Sequence, residues 1–249
     1  MASIFEFLVA GSLSCPAALP EWNLTRHSCV QLSGVLQAGA SISAGYKDRT
    51  SPGTILKQAV EKKGLTGRFE NIAVSKAKSK AQVEFIMRQL KDSASGIKTI
   101  MAIDLFYWDS EAARCTEVVQ SIAPLLEAAE KAGVNLIVGN VPATADSSDC
   151  ARGINSALAA CDSKPTCYKL DLNDMRTQLK RQDYFEIDGQ KYDTCQIMAD
   201  PWHTSITANT IIAETVLRMM DRKKPACAEP APAAPAEAGQ ESGEDSSDR

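Results

Sequence analysis

Short apolar runs alternate along the middle of the chain with segments of helical spacing. The runs cover 34–38, 69–74, 98–104, 135–141 and 167–172. Between them, Ile55, Leu56, Ala59 and Val60, and then Val83, Ile86, Met87 and Leu90, recur at the three-to-four-residue interval that puts apolar side chains on one helix face. A longer helical segment spans 110–132, with an interruption expected at Pro124, because proline lacks an N–H and its ring crowds the preceding turn. Further helices are expected near 151–160 and over 207–220, where Ile212, Val216 and Met219 share a stripe. Strand-length runs alternating with helices predict a parallel sheet covered on both faces. The expected fold is a three-layer α/β/α, flavodoxin-like domain of about five strands, which binds ligands beyond the carboxyl ends of its strands. Asp188-Gly189 inside YFEIDGQKY reads as a tight hairpin turn beside that sheet.

Composition adds limits. With 249 residues, 44% of them apolar, one domain can bury most of its unfolded surface. The 27 Lys and Arg against 31 Asp and Glu give a formal charge of −4, but 225–249 alone hold six acids and one base, so the preceding residues stand at −4 − (−5) = +1. A nearly neutral body has no broad phosphate-binding surface, which excludes a nucleic-acid partner. The last segment also holds four of the eleven prolines and no large apolar residue, so burial cannot offset the entropy of ordering it. Three regions result: an apolar and irregular segment over 1–29, a folded domain over 30–224, and a disordered Pro/Ala/acidic tail over 225–249. The alternative for the tail is a docking segment for a basic partner.

Met1 to Ser14 is apolar and of signal-peptide length, but it has no Lys or Arg and carries Glu6. Ser12-Leu13-Ser14-Cys15 resembles a lipoprotein cleavage box with its leucine one place late, which makes a lipid anchor on Cys15 the alternative. Asn23-Leu24-Thr25 is a glycosylation sequon. Eight cysteines, with Cys150, Cys161 and Cys167 close together and no C-x-x-C pair, fit disulfides better than zinc. Export to the periplasm, cell surface or medium is therefore expected. Eight cysteines allow 105 complete pairings, and spacing selects none of them.

The candidate chemistry follows the first and last apolar elements. Gly39-Ala40-Ser41-Ile42-Ser43-Ala44-Gly45 surrounds serine with small residues after a strand, which lets the backbone turn sharply and expose a hydroxyl. The alternative is that Ser41 or Ser43 caps the next helix. Asp200-Pro201-Trp202-His203 sets a carboxylate and an imidazole on one short turn ahead of the last helix. That pairing can orient a base toward a serine. The only other histidine, His27, lies in the irregular N-terminal segment.

These two motifs, in this order, resemble those of the SGNH, or GDSL, hydrolase superfamily, and the resemblance spans roughly 34–220. The family's Gly-Asp-Ser is matched by Gly39-Ala40-Ser41, with alanine for aspartate, and its Asp-x-x-His by Asp200-Pro201-Trp202-His203. The resemblance implies a serine hydrolase acting on a small-molecule or glycan ester, with Ser41 as nucleophile, His203 as base and Asp200 orienting it. It implies no cofactor or metal, and a monomer is expected. Acyl transfer is a variant of the same chemistry, and a weakened member that binds a glycan or partner protein is the alternative.

The middle motifs depart from the family. Asn71-Ile72-Ala73-Val74-Ser75-Lys76-Ala77 has lysine where the family has the glycine whose N–H binds the oxyanion. In Ala102-Ile103-Asp104-Leu105, Asp104 replaces the asparagine that donates to the same oxygen. A carboxylate there would repel a developing oxyanion. A compensating arrangement is that Asp104 pairs with Lys76 and fixes its ammonium near the oxyanion. Otherwise Lys76 is solvated and Asp104 accepts N–H groups in its loop. Asn140 is a second candidate donor, and Phe106, Tyr107 and Trp108 either line a pocket or pack the domain edge.

Overall fold

The computed structural model describes residues 34–45, 50–62, 68–112, 114–142, 149–187, 190–199 and 203–223. The expectations for the N-terminal segment, Cys15, His27, the sequon, the acidic tail, the Asp188-Gly189 turn and Asp200 to Trp202 lie outside these residues.

The elements run β1 (Val35–Gln37), α1 (Ser41–Ala44), α2 (Pro52–Lys62), β2 (Phe69–Asn71), α3 (Ser79–Lys91), β3 (Thr99–Ala102), α4 (Tyr107–Ser110), α5 (Thr116–Lys131), β4 (Asn135–Gly139), α6 (Asp149–Leu158), β5 (Cys167–Leu170), α7 (Leu172–Gln182), β6 (Tyr184–Ile187), β7 (Gln190–Asp193), α8 (Thr194–Ile197) and α9 (Ile206–Lys223). Strands β1 to β5 form one parallel sheet in the order β2-β1-β3-β4-β5, with Leu36 opposite Ile100 and Ile100 opposite Leu136. Each apolar run is thus a strand, shorter than the run itself because its last residues turn into the loop above the sheet. Side-chain alternation divides the interior in two. Val35, Met101, Ile103 and Ile137 face the layer of α2, α7 and α9, while Leu36, Ile100, Leu136 and Val138 face that of α3, α5 and α6.

Two helix expectations need correction. The segment over 110–132 is divided before Thr116, where Cys115 bonds to Cys150 of α6, and α5 then runs unbroken through Pro124. Pro124 lies on the exposed side, so the carbonyl it leaves without a partner faces water, while Ile122, Leu125, Leu126 and Ala129 keep the stripe buried. Helix α7, absent from the periodicity reading, buries Leu172, Met175 and Leu179 and is capped by Asp171, which accepts the N–H of Asp174 at 2.9 Å. Strands β6 and β7 pair antiparallel, Ile187 opposite Gln190, as the hairpin expectation requires. Cys161–Cys167 is a second disulfide, and Cys195 is also disulfide-bonded. No helix among the described residues is long and apolar enough to cross a membrane.

Candidate active site

The strand order reverses between β1 and β3, the crevice where doubly wound sheets bind ligands. Ser41 follows β1 there as the first residue of α1, and Asp104 follows β3. The turn into α1 needs Gly39. Its φ is +140°, and a Cβ would stand 2.2 Å from Asp104 Oδ1 and 2.5 Å from Ser43 Oγ. Gly45, at φ 69°, closes the short helix in the left-handed region.

Asp104 holds this elbow. Its Oδ1 accepts the N–H of Ala40 at 2.9 Å, the N–H of Ser43 at 3.3 Å and the Ser43 hydroxyl at 2.6 Å, and its Oδ2 accepts the N–H of Ile42 at 2.8 Å. A carboxylate from the loop after β3 thus caps α1, in place of either serine. Burial pushes the Asp104 carboxyl up from its ordinary value, and the hydrogen bonds from Ser43, Ala40 and Ile42 pull it down.

The N–H of Ser41 is not among the groups Asp104 takes. Ser41 is half-buried, and its hydroxyl makes no hydrogen bond among the described residues, whereas Ser43 is buried and tied to Asp104.

Two glutamines brace the turn, and sequence reasoning missed both. Gln82 of α3 accepts the Gly39 N–H at 2.6 Å and donates to the Gly39 carbonyl at 3.0 Å, while buried Gln37 donates to the Ser43 carbonyl. A glutamine ending an otherwise apolar strand was the available signal for Gln37.

His203 stands half-buried ahead of α9. Its carbonyl accepts the N–H of Ala199 at 2.8 Å, beside an antiparallel bridge between Met198 and Thr204, so Ala199 and His203 are drawn together. The Thr204 hydroxyl donates to Asn209 at 2.7 Å, and the Asn209 amide donates to the Thr50 carbonyl at 2.8 Å. That tether joins the histidine turn to the chain leaving the elbow.

No protein-family profile and no curated protein sequence matches this chain. Solved structures do. The psychrotrophic esterase EstA from Pseudoalteromonas sp. is 11% identical with a TM-score of 0.55, over 76% of this chain and 97% of that one. A putative lipolytic protein of the G-D-S-L family from Desulfitobacterium hafniense is 14% identical with a TM-score of 0.54, over 75% and 99%. A G-D-S-L family lipolytic protein from Veillonella parvula is 16% identical with a TM-score of 0.53, over 76% and 99%. The chain has the SGNH hydrolase fold.

Within the SGNH fold, the two changed motifs do not compensate each other as expected. Lys76 is exposed, and among the described residues no ion pair joins it to Asp104, whose oxygens are occupied by the elbow. Position 76 has φ 62°, in the left-handed region, where lysine is strained and glycine is not. Its loop still lies against the elbow, because the Val74 N–H donates to the Gly39 carbonyl at 3.1 Å. Asn140 is also committed, donating to Asp171 at 2.8 Å and accepting the Asn173 N–H at 2.9 Å. Of the aromatic run, Phe106 packs inside the domain, while Tyr107 and Trp108 stay half-buried at the sheet edge. Among the described residues no group of three or more His, Cys, Asp or Glu side chains forms a metal site.

Proposed function

We propose that the protein is a serine hydrolase that cleaves a carboxylic ester through an acyl-enzyme on Ser41. The observation that carries this reading is the elbow at the β1/β3 crevice. Asp104 engages the N–H groups of Ala40, Ile42 and Ser43 and the Ser43 hydroxyl, and leaves out both the N–H and the hydroxyl of Ser41. A nucleophile needs that freedom on a rigid support. Solved structures of the same fold that are described as esterases and lipolytic proteins support it further.

In the proposed reaction Ser41 Oγ attacks the ester carbonyl while His203 takes its proton, and Asp200 orients the imidazole. The N–H groups of Ser41 and Lys76 hold the oxyanion. His203 returns the proton to the departing alcohol. Water, deprotonated by His203, then releases the acid and restores the serine. The four donors on Asp104 balance its charge, which limits its repulsion of the oxyanion. With no side-chain amide in the oxyanion site, turnover is expected to be roughly 10²–10³-fold below that of an enzyme possessing one. Disulfides at Cys115–Cys150 and Cys161–Cys167 support an exported protein.

The test is labelling with a fluorophosphonate together with a panel of esters from acetyl to long acyl, including acetylated sugars. Labelling at Ser41 and turnover that disappears in Ser41→Ala are expected. A folded protein that is neither labelled nor active instead supports a weakened member of this fold that binds a glycan or partner protein, the reading favoured by the lack of a side-chain oxyanion donor at position 104.

A further inference from the structure

Tyr107 and Arg176 form a pair beyond the carboxyl edge of the sheet that the acyl-transfer roles leave unused. The Tyr107 N–H donates to the Asp104 carbonyl at 3.3 Å, so the tyrosine stands one turn from the residue that clamps the elbow. Arg176, on α7, reaches it from beyond β5. Its Nη1 donates to the phenol oxygen at 3.0 Å, and its guanidinium carbon lies 5.0 Å from the ring centre. Trp108 meets the same ring edge-on, with centroids 5.5 Å apart.

A guanidinium can only donate, so the phenol oxygen is the acceptor in this bond and keeps its own proton for another partner. Among the described residues that proton has no acceptor. The cation and the indole fix the ring, so the hydroxyl is oriented before any ligand arrives. A half-used, rigidly held donor at the ligand-binding edge of this sheet is suited to reading an oxygen on a substrate.

We propose that Tyr107, held by Arg176, donates a hydrogen bond to an acceptor oxygen in the non-reacting part of the ester, so that an acylated sugar is preferred to a plain hydrocarbon ester. The proposal rests on the ester-hydrolase reading of Ser41. A site built to hydrogen-bond a substrate group discriminates against analogues that lack it, because the protein's own polar group is then left unpaired.

The experiment compares full-length wild type, Ser41→Ala, Tyr107→Phe and Arg176→Lys on glucose pentaacetate and phenyl acetate, with thermal melting as a check on folding. Tyr107→Phe keeps the ring and its contacts and removes only the hydroxyl. The ratio of kcat/KM for the sugar ester to that for the phenyl ester is expected to fall about tenfold, mainly through KM, as for one lost hydrogen bond. Arg176→Lys, which keeps a cation but not the planar fork, is expected to lower the same ratio by a smaller factor. A ratio unmoved in both folded variants, or equal losses on the two substrates, overturns the proposal. If wild type shows no Ser41-dependent turnover of any ester, the hydrolase reading fails and takes this proposal with it. If Ser41-dependent turnover is present and the ratio does not move, only this proposal fails.

Discussion

The hydroxyl of Ser43 donates to Asp104 Oδ1 at 2.6 Å inside the domain, two residues from Ser41, whose hydroxyl makes no hydrogen bond among the described residues. The two serines of one small-residue loop therefore have separable effects. Ser43→Ala is expected to lower unfolding free energy by about 1.5–3 kcal/mol, the usual contribution of a hydrogen bond to a charged group, and to keep fluorophosphonate labelling. Ser41→Ala is expected to abolish labelling and leave denaturant unfolding nearly unchanged. Loss of labelling in a stable Ser43→Ala protein would reverse the assignment of the two residues.

Gly39 is the tightest point of the elbow. Any Cβ there collides with Asp104 and Ser43 at once, 2.2 Å from Oδ1 of one and 2.5 Å from Oγ of the other. Gly39→Ala is expected to cost about 2–4 kcal/mol and to slow labelling of Ser41. Urea unfolding and labelling kinetics on the same preparation measure both.

Asp104 also sets a pH dependence. Burial raises its carboxyl in the native protein, against the hydrogen bonds from Ser43, Ala40 and Ile42. Above the ordinary value of 3.8 the unfolded chain has released this proton while the native state still holds it. The native state then binds more protons, so this group's contribution to stability declines as pH rises from 3.8 to the native ionisation point, and is level above it. Asp104→Asn removes the titration. Urea unfolding across the acid range should show wild type losing stability relative to that variant with rising pH, and a constant difference would refute the shift.

Lys76 holds a backbone conformation that suits glycine, at φ 62°. Lys76→Gly is expected to raise stability by about 1 kcal/mol, the relief of left-handed strain exceeding the entropy that glycine adds to the unfolded chain. Thermal melting decides it: an unchanged or lower midpoint means the loop is not strained by the side chain.

The two described disulfides close loops of different size, with sequence separations of 35 for Cys115–Cys150 and 6 for Cys161–Cys167. Chain entropy assigns the longer about 4 kcal/mol and the shorter about 2. Replacing each pair with alanines should give losses in that order by denaturant unfolding, and the reverse order would show that strain or unfolded-state structure dominates.

Much of the fold was legible in local pattern. The five apolar runs became the five strands: the inner strands β1, β3 and β4 are covered on both faces and so are largely apolar, while β2, at the sheet edge, carries Glu70 and Asn71 and shows the pattern only in the residues around it. The SGNH resemblance likewise came from two short motifs at the right ends of the first and last elements, and the structural similarities agree with it at the level of fold. Helix α7 escaped because Leu172, Met175 and Leu179 are its only buried apolar residues among polar neighbours, which makes a thin stripe. Pro124 misled because the rule that proline interrupts a helix was applied without regard to its face: off the apolar stripe, the carbonyl it leaves without a partner meets water.

The site divides in the same way. Sequence by itself determined that a serine follows the first strand among small residues, and that an aspartate and a histidine precede the last helix. Both are local facts, encoded within a few residues. Only the tertiary structure decided what Asp104 does. Its four donors lie 61 to 64 positions away in the chain, and a carboxylate's role depends on which groups the fold brings to it. The same holds for Lys76, whose motif position suggests a charge partner while its backbone angle places the side chain at the surface. Tyr107 and Arg176, 69 residues apart, meet only because the sheet sets the ends of β3 and β5 along one edge.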